Sequence, residues 1–236
     1  MRREPMFHVK VCGVTSAADA RMVATAGADA IGLNFVAGSP RCLSVETACE
    51  VAAAVPEQVL VVGVFAGTPA VEIKRIAAAV PLDAVQLHGH LSDGGVVDPP
   101  ERCAELAPLP VIRAVRLEAD GLVAAREWIA AARALGHAPA MAVVDAAVTA
   151  ATAAGQLGGT GATVDWARLA AAGDLGIPVA VAGGLSPGNV AEAVRVSRAE
   201  AVDTASGVEL APGRKDPAEV GQFCAAATAA LARKAR

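Results

Sequence analysis

Short apolar segments alternate with Ala-rich helical segments along the chain, and this alternation restricts the fold more than any other feature of the sequence. Most of the apolar segments are continuous rather than alternating in hydrophobicity, which is typical of parallel strands that are covered on both faces. Eight strands are predicted, at 8–12, 30–35, 58–65, 83–88, 110–116, 140–145, 177–182 and 200–205.

A helical segment follows each predicted strand. Several of these segments begin with a residue that caps helices or with a proline that suits a first turn, namely Ser44, Asp165, Ser186 before Pro187 and Asp216 before Pro217. The helices are predicted at about 16–27, 44–55, 69–80, 100–107, 121–135, 164–172, 187–196 and 216–233.

The chain length suits one closed barrel. A (β/α)₈ barrel needs roughly 250 residues, and this chain has 236. We therefore predict an α/β fold made of a single (β/α)₈ TIM barrel that spans 1–236, with 1–6 as a short N-terminal extension. An open doubly wound sheet is the alternative, but it usually carries a GxGxxG turn after its first strand, where this sequence has CGVT.

Composition narrows the environment and the partners. The hydrophobic fraction of 54% comes mainly from Ala and Val, so the core must be built from small aliphatic side chains. Acidic residues outnumber basic ones by 24 to 20, and no dense Lys or Arg block occurs, so no nucleic-acid partner is expected. The five cysteines form no CxxC pair, and no long apolar segment occurs. We expect a cytoplasmic protein that lacks disulfides, a zinc site and a membrane anchor.

Polar residues at the carboxyl ends of the predicted strands nominate the functional site, because in a (β/α)₈ barrel these ends surround one opening. Arg41 lies in the loop just beyond the second strand. The strand-end candidates are Cys12, Asn34, Gln86, His88, Arg113, Arg116, Asp145, Asp203 and Ser206.

Three of these residues have both a chemical and a structural interpretation. Cys12 could act as a base or nucleophile if a nearby positive charge lowers its pKa, although most free cysteines are small buried hydrophobes. Asp145 ends an apolar strand and could be a general acid, or it could cap the next segment. Asp203 could contact a substrate or stabilise a turn.

Glycine-rich loops indicate a phosphate site. Gly183 and Gly184 follow the seventh strand, and Ser206 and Gly207 follow the eighth, where barrels commonly bind phosphate through backbone N–H groups. Gly159, in GGTG, could add to the same site.

Two further side chains have a predicted role at the opening. Arg41 could bind a carboxylate bidentately. His88 is expected to line the barrel as a hydrogen-bonding residue, because no second ligand stands at metal-ligand spacing. No metal is therefore expected.

Several motifs together resemble the phosphoribosylanthranilate isomerase family over nearly the full length of the chain. Each motif alone is weak, but their shared order and spacing is specific. They are VKVCGVT (9–15), GSPRCLS (38–44), VGVF (62–65), QLHG (86–89), VVDA (143–146), GGTGATVDW (158–166), AGGLSPGNV (182–190), VDTASGVE (202–209) and GRKDP (213–217).

The resemblance implies a cofactor-free Amadori rearrangement in tryptophan biosynthesis, acting on a small phosphorylated substrate. Cys12 would be the general base, Asp145 the general acid and Arg41 the group that holds the anthranilate carboxylate. The phosphate would be bound by the loops that contain Gly159, Gly183, Gly184, Ser206 and Gly207.

The sequence departs from the family pattern at a few positions and leaves two alternatives open. The departures are His90, Leu91, Val164 and Ala205. The alternatives are the histidine-pathway phosphoribosyl sugar isomerase, whose pattern has Asp in place of Cys12, and a non-catalytic phosphate-binding barrel. The sequence leaves open whether the chain is a monomer or a homodimer.

Overall fold

Eight parallel strands close into a barrel in the computed structural model, which describes residues 4–89, 91–92, 95–96, 98–118, 120–145 and 165–234. The predicted (β/α)₈ TIM barrel is therefore confirmed. The barrel strands are β1 (Val9–Cys12), β2 (Ala30–Asn34), β3 (Leu60–Phe65), β4 (Ala84–Leu87), β7 (Val111–Arg116), β8 (Met141–Asp145), β9 (Val179–Val181) and β10 (Ala201–Thr204).

A helix follows each barrel strand, and several of the predicted caps are present. Ser44 and Asp165 each accept a hydrogen bond from the backbone N–H three residues later. The helices are α1 (Ala17–Thr25), α2 (Val45–Ala53), α3 (Ala70–Ala79), α4 (Arg102–Glu105), α5 (Val123–Ala134), α6 (Trp166–Ala171), α7 (Val190–Ser197) and α8 (Pro217–Lys234).

Side chains alternate between two cores because successive residues of a strand face opposite sides. The larger core lies between strands and helices and includes Val11, Ile31 and Leu33. A smaller one contains mostly small residues, including Ala30, Ala84, Ala180 and Ala201, with Phe7 buried among them. Since the interior of a narrow barrel must be filled by side chains, an Ala-rich sequence suits it. Met6, which was placed in the N-terminal extension, packs against this smaller core.

The structure also differs from the sequence-based expectation in its details. Two short hairpins, β5 (Leu91–Ser92) with β6 (Gly95–Val96) and β11 (Glu209–Ala211) with β12 (Arg214–Lys215), were not predicted. They are too short to carry a periodic hydrophobic signal.

The start of helix α7 and the position of the Arg113 side chain also differ from the expectation. Helix α7 begins three residues after Pro187, because the Asn189 side chain first closes a turn by accepting from the Ser186 N–H. Arg113 was expected at the opening, but its guanidinium lies 4.9 Å from the Trp128 ring centroid and donates to the Leu87 carbonyl. The alternation along β7 places Arg113 on the outer face of the barrel.

Candidate active site

A cavity lies at the carboxyl ends of the barrel strands and brings most of the predicted site residues together. Cys12, Arg41, Asp145 and Asp203 line it, and Gly183, Gly184, Ser206 and Gly207 line it as well. Asn34, Gln86 and His88, which were expected at the opening, also contribute to the wall. Gly159 lies outside the described residues.

Cys12 sits in a space that a glycine on the neighbouring strand leaves open. β1 pairs with β2 so that Cys12 lies beside Gly32. A Cβ atom on Gly32 would be 2.6 Å from the Cys12 sulfur and 3.0 Å from its Cα. The absence of a side chain at Gly32 therefore determines where the thiol can lie.

Two buried ammonium groups flank Cys12. Lys10 precedes Cys12 by two residues on the same face of β1, and Lys215 donates from Nζ to the Cys12 carbonyl oxygen at 2.6 Å. Burial raises the pKa of the Cys12 thiol, while the charges of Lys10 and Lys215 act in the opposite direction. The pKa of the Cys12 thiol therefore remains above its ordinary value, because the effect of burial is larger than that of the two cations.

Lys10 and Asp203 form a buried ion pair across the seam between β1 and β10. The register places the two residues opposite each other, and Lys10 Nζ lies 2.9 Å from Asp203 Oδ1. Burial raises the pKa of Asp203 despite the opposing effect of Lys10. Asp203 is thus engaged with Lys10, rather than with the turn that was its structural alternative.

Asp145 contacts a histidine at the mouth of the cavity. Its Oδ2 lies 3.3 Å from Nε2 of His88, and each side chain is mostly buried, with 16% and 17% exposed respectively. Both side chains line the same cavity as Cys12. His88 lines the barrel as expected.

Arg41 is held by a carboxylate that sequence reasoning missed. Its Nε and Nη2 donate to the two oxygens of Glu209 at 2.8 and 2.5 Å. Glu209 also accepts from Lys215 Nζ at 2.8 Å. Burial alone would raise the pKa of Glu209, but Arg41 and Lys215 outweigh it and lower the pKa.

The backbone after β1 makes room for Arg41. Gly13 has φ +70°, and a Cβ there would lie 2.3 Å from Arg41 Cδ. A glycine at this position therefore allows the arginine to pass over the loop and reach the cavity.

The loops after β9 and β10 approach each other closely beside the cavity. Gly183 and Gly184 have φ values of 85° and 65°, in the region that favours glycine. A Cβ on Gly207 would lie 1.8 Å from the Leu185 carbonyl oxygen, which already accepts from Thr204 Oγ1 at 2.7 Å. Glycine at these positions lets two backbone segments line the same side of the cavity, an arrangement typical of phosphate sites.

Four residues of the site were not proposed from the sequence: Lys10, Gly32, Glu209 and Lys215. For Lys10 a usable signal existed, because strand alternation places it on the same face as Cys12. Glu209 and Lys215 lie in the short hairpin β11–β12, and they fall within the motifs at 202–209 and 213–217, which with the Pro212–Gly213 turn signal could have nominated them.

Among the described residues, no group of three or more His, Cys, Asp or Glu side chains could hold a metal ion. None of the helices in this part of the chain combines the length and apolar character needed to cross a membrane.

Comparison with known proteins identifies the family. Residues 9–226 match the family model described as N-(5′-phosphoribosyl)anthranilate (PRA) isomerase. The chain belongs to the phosphoribosylanthranilate isomerase family. It is 42% identical to the N-(5′-phosphoribosyl)anthranilate isomerase of Myxococcus xanthus, over 93% of this chain and 95% of the relative. It is 40% identical to that of Acidithiobacillus ferrooxidans, over 94% of this chain and 97% of the relative.

Solved phosphoribosylanthranilate isomerases have the same fold. The enzyme from Thermotoga maritima is similar with a TM-score of 0.79 and 32% identity, over 95% of this chain and all (100%) of that one. Another similar structure is a complex with reduced 1-(o-carboxyphenylamino)-1-deoxyribulose 5-phosphate, with a TM-score of 0.74, 32% identity and the same two coverages, 95% and 100%. The family resemblance seen in the sequence motifs is confirmed.

Proposed function

We propose that this chain converts N-(5-phosphoribosyl)anthranilate to 1-(2-carboxyphenylamino)-1-deoxyribulose 5-phosphate in tryptophan biosynthesis, with Cys12 as general base and Asp145 as general acid. The observation that carries the proposal is that both side chains line one cavity at the carboxyl ends of the strands. Membership of the family supplies the substrate.

The reaction requires one proton to be given and one to be taken. Asp145 donates to the ribose ring oxygen, which breaks the ring C–O bond and leaves a protonated Schiff base. The Cys12 thiolate then removes the C2′ proton, and the electrons of that C–H bond move toward the nitrogen to give an enolamine. Tautomerisation yields the ketose product, so no net electron transfer or group transfer occurs.

Substrate binding is assigned to the two ends of the same cavity. The Arg41 guanidinium holds the anthranilate carboxylate, and its Nη1 is not taken by Glu209. Backbone groups of Gly183, Gly184, Ser206 and Gly207 bind the phosphate, an arrangement that does not need a side chain at Ala205. Gly159 is proposed to add to this phosphate site. Asp203 contributes by holding Lys10, and we propose that its second oxygen contacts the substrate.

A fluorescence assay that follows consumption of phosphoribosylanthranilate tests this function. Cys12→Ser and Asp145→Asn should each lower kcat by roughly 10²–10⁴, while product still binds. Cys49→Ser, on helix α2, is the matched control for replacing a thiol and should keep wild-type turnover. Near-wild-type kcat in either site variant would remove that residue from the mechanism.

The same assay separates the alternatives. Turnover of the histidine-pathway phosphoribosyl sugar at a higher kcat/KM would favour that isomerase, and tight product binding without turnover would favour a binding module.

We propose a cytoplasmic location and either a monomer or a homodimer. One similar structure contains monomers of a dimeric phosphoribosylantranilate isomerase from Thermotoga maritima, which makes sedimentation of this chain informative.

A further inference from the structure

A charged residue lies inside the barrel directly below the thiol. Lys10 precedes Cys12 by two residues on β1, so both side chains face the interior. The Lys10 side chain has no solvent exposure, and its Nζ is 6.0 Å from the centroid of the Phe7 ring. The ammonium therefore lies in the barrel interior beside Phe7 and Asp203, on the face of β1 that also carries Cys12.

The surroundings make an ion pair at this depth unusual. The neighbouring interior residues are apolar and include Ala30, Ile112 and Met141. Replacing a buried ion pair with well-packed hydrophobic residues is often neutral or stabilising. Packing alone therefore does not require Lys10 and Asp203, and the next residue on the same face of β1 as Lys10 is Cys12.

We propose that Lys10 is a positioning residue that stabilises the thiolate of Cys12 through a hydrogen bond and its charge, and that Asp203 holds Lys10 in place. An ammonium has three donors, so it can bond to a carboxylate oxygen and to a sulfur at once. This proposal deepens the proposed function and rests on Cys12 being the base.

Other charges around Cys12 are already balanced by a shared partner. Arg41 and Lys215 both approach Cys12, and both pair with the carboxylate of Glu209. Lys215 bonds to the Cys12 carbonyl oxygen, whereas Lys10 pairs with Asp203 on the side of β1 that carries the Cys12 side chain. Asp203 is the anion that opposes the thiolate, since its charge raises the Cys12 pKa.

Lys10 itself remains protonated in this setting. Burial lowers its pKa, but Asp203 and Cys12 outweigh burial, so the pKa of Lys10 lies above its ordinary value. The positive charge is thus present throughout the pH range in which the enzyme would work.

The test measures alkylation of Cys12 by iodoacetamide between pH 6 and 11, with the Cys12 peptide quantified by mass spectrometry. The shift in midpoint is read from the rate relative to wild type below the midpoint, where the rate is proportional to the thiolate fraction. Lys10→Met should raise the midpoint of the rate profile by about 1–3 pH units, the usual effect of removing a nearby opposite charge. At pH 7 the alkylation rate should fall at least tenfold. Asp203→Asn should shift the midpoint downward, because it removes an anion and leaves Lys10 to the sulfur.

The midpoint shifts of Lys10→Met and Asp203→Asn should have opposite signs if the role of Lys10 is electrostatic. A general loosening of the barrel would instead shift both midpoints in the same direction. Lys74→Met is the matched control because Lys74 is exposed, and its midpoint should equal that of the wild type. An unchanged midpoint in folded Lys10→Met, or equal signs in the two single variants, would overturn the proposal.

A double variant keeps the test decisive if Lys10→Met does not fold. Lys10→Met with Asp203→Asn removes both buried charges, and its midpoint should lie above that of Asp203→Asn alone. Equal midpoints would overturn the proposal. Since alkylation needs no substrate, its result is independent of the turnover of Cys12→Ser, which tests whether Cys12 is the base.

Discussion

Gly32 has no side chain, and the Cys12 thiol occupies the space that a side chain there would fill. A substitution at Gly32 therefore tests what fixes the position of the thiol. In Gly32→Ala the new Cβ would lie 2.6 Å from the Cys12 sulfur, whereas unstrained heavy-atom contacts lie at about 3.5–4.0 Å. The sulfur must therefore move by about 1 Å. Rotation of the thiol alone cannot relieve the contact, since Cys12 Cα would be only 3.0 Å away.

The expected result is a folded but slow enzyme. A misplacement of 1 Å can cost about 10²-fold in rate, so kcat in the fluorescence assay should fall by about that factor. Overpacking should lower the free energy of unfolding by about 1–3 kcal/mol, measured by urea titration. The rest of the cavity is untouched, so product affinity should change far less than kcat.

A matched glycine substitution serves as the control. Gly221 lies in α8, and a Cβ there would meet nothing within 4 Å. Gly221→Ala should keep wild-type kcat and add about 0.5–1 kcal/mol of stability from helix propensity. A Gly32→Ala enzyme with kcat within twofold of wild type, and with an unchanged Cys12 alkylation rate, would refute the claim that Gly32 places the sulfur.

Three further predictions concern stability. Phe7→Ala should lower the free energy of unfolding by about 3–5 kcal/mol, because Phe7 is 1% exposed in the barrel interior; a loss below 1 kcal/mol would contradict its role there. Glu209→Gln should cost about 3–5 kcal/mol in urea unfolding by leaving buried cations unpaired, whereas its control Glu72→Gln, in an exposed ion pair, should have almost no effect; equal losses would argue against the buried network. Burial, with a smaller contribution from Asp29, raises the pKa of the Cys224 thiol from 9.0 to about 11. The unfolded chain therefore loses this proton at a lower pH than the folded chain, and the free energy of unfolding should fall between pH 9 and 11. Cys224→Ala should lose less stability over that window, and parallel pH profiles for the two proteins would show that the thiol is not the cause.

The sequence determined the barrel and most of the candidate site. Eight apolar segments with intervening helices define a (β/α)₈ order, and strand ends in such a barrel share one opening. Cys12, Asp145 and Asp203 could therefore be nominated by position alone, without any contact being known. The glycines at 183, 184 and 207 could be placed beside a phosphate for the same reason.

Only the tertiary structure decided which groups touch. Lys10 and Asp203 are 193 residues apart, and Arg41 and Glu209 are 168 apart, so no local pattern pairs them. Their contacts depend on the register with which β1 meets β10 when the barrel closes and on the hairpin β11–β12. Local sequence specifies the period and ends of each strand, whereas the register at closure follows from packing of the whole interior.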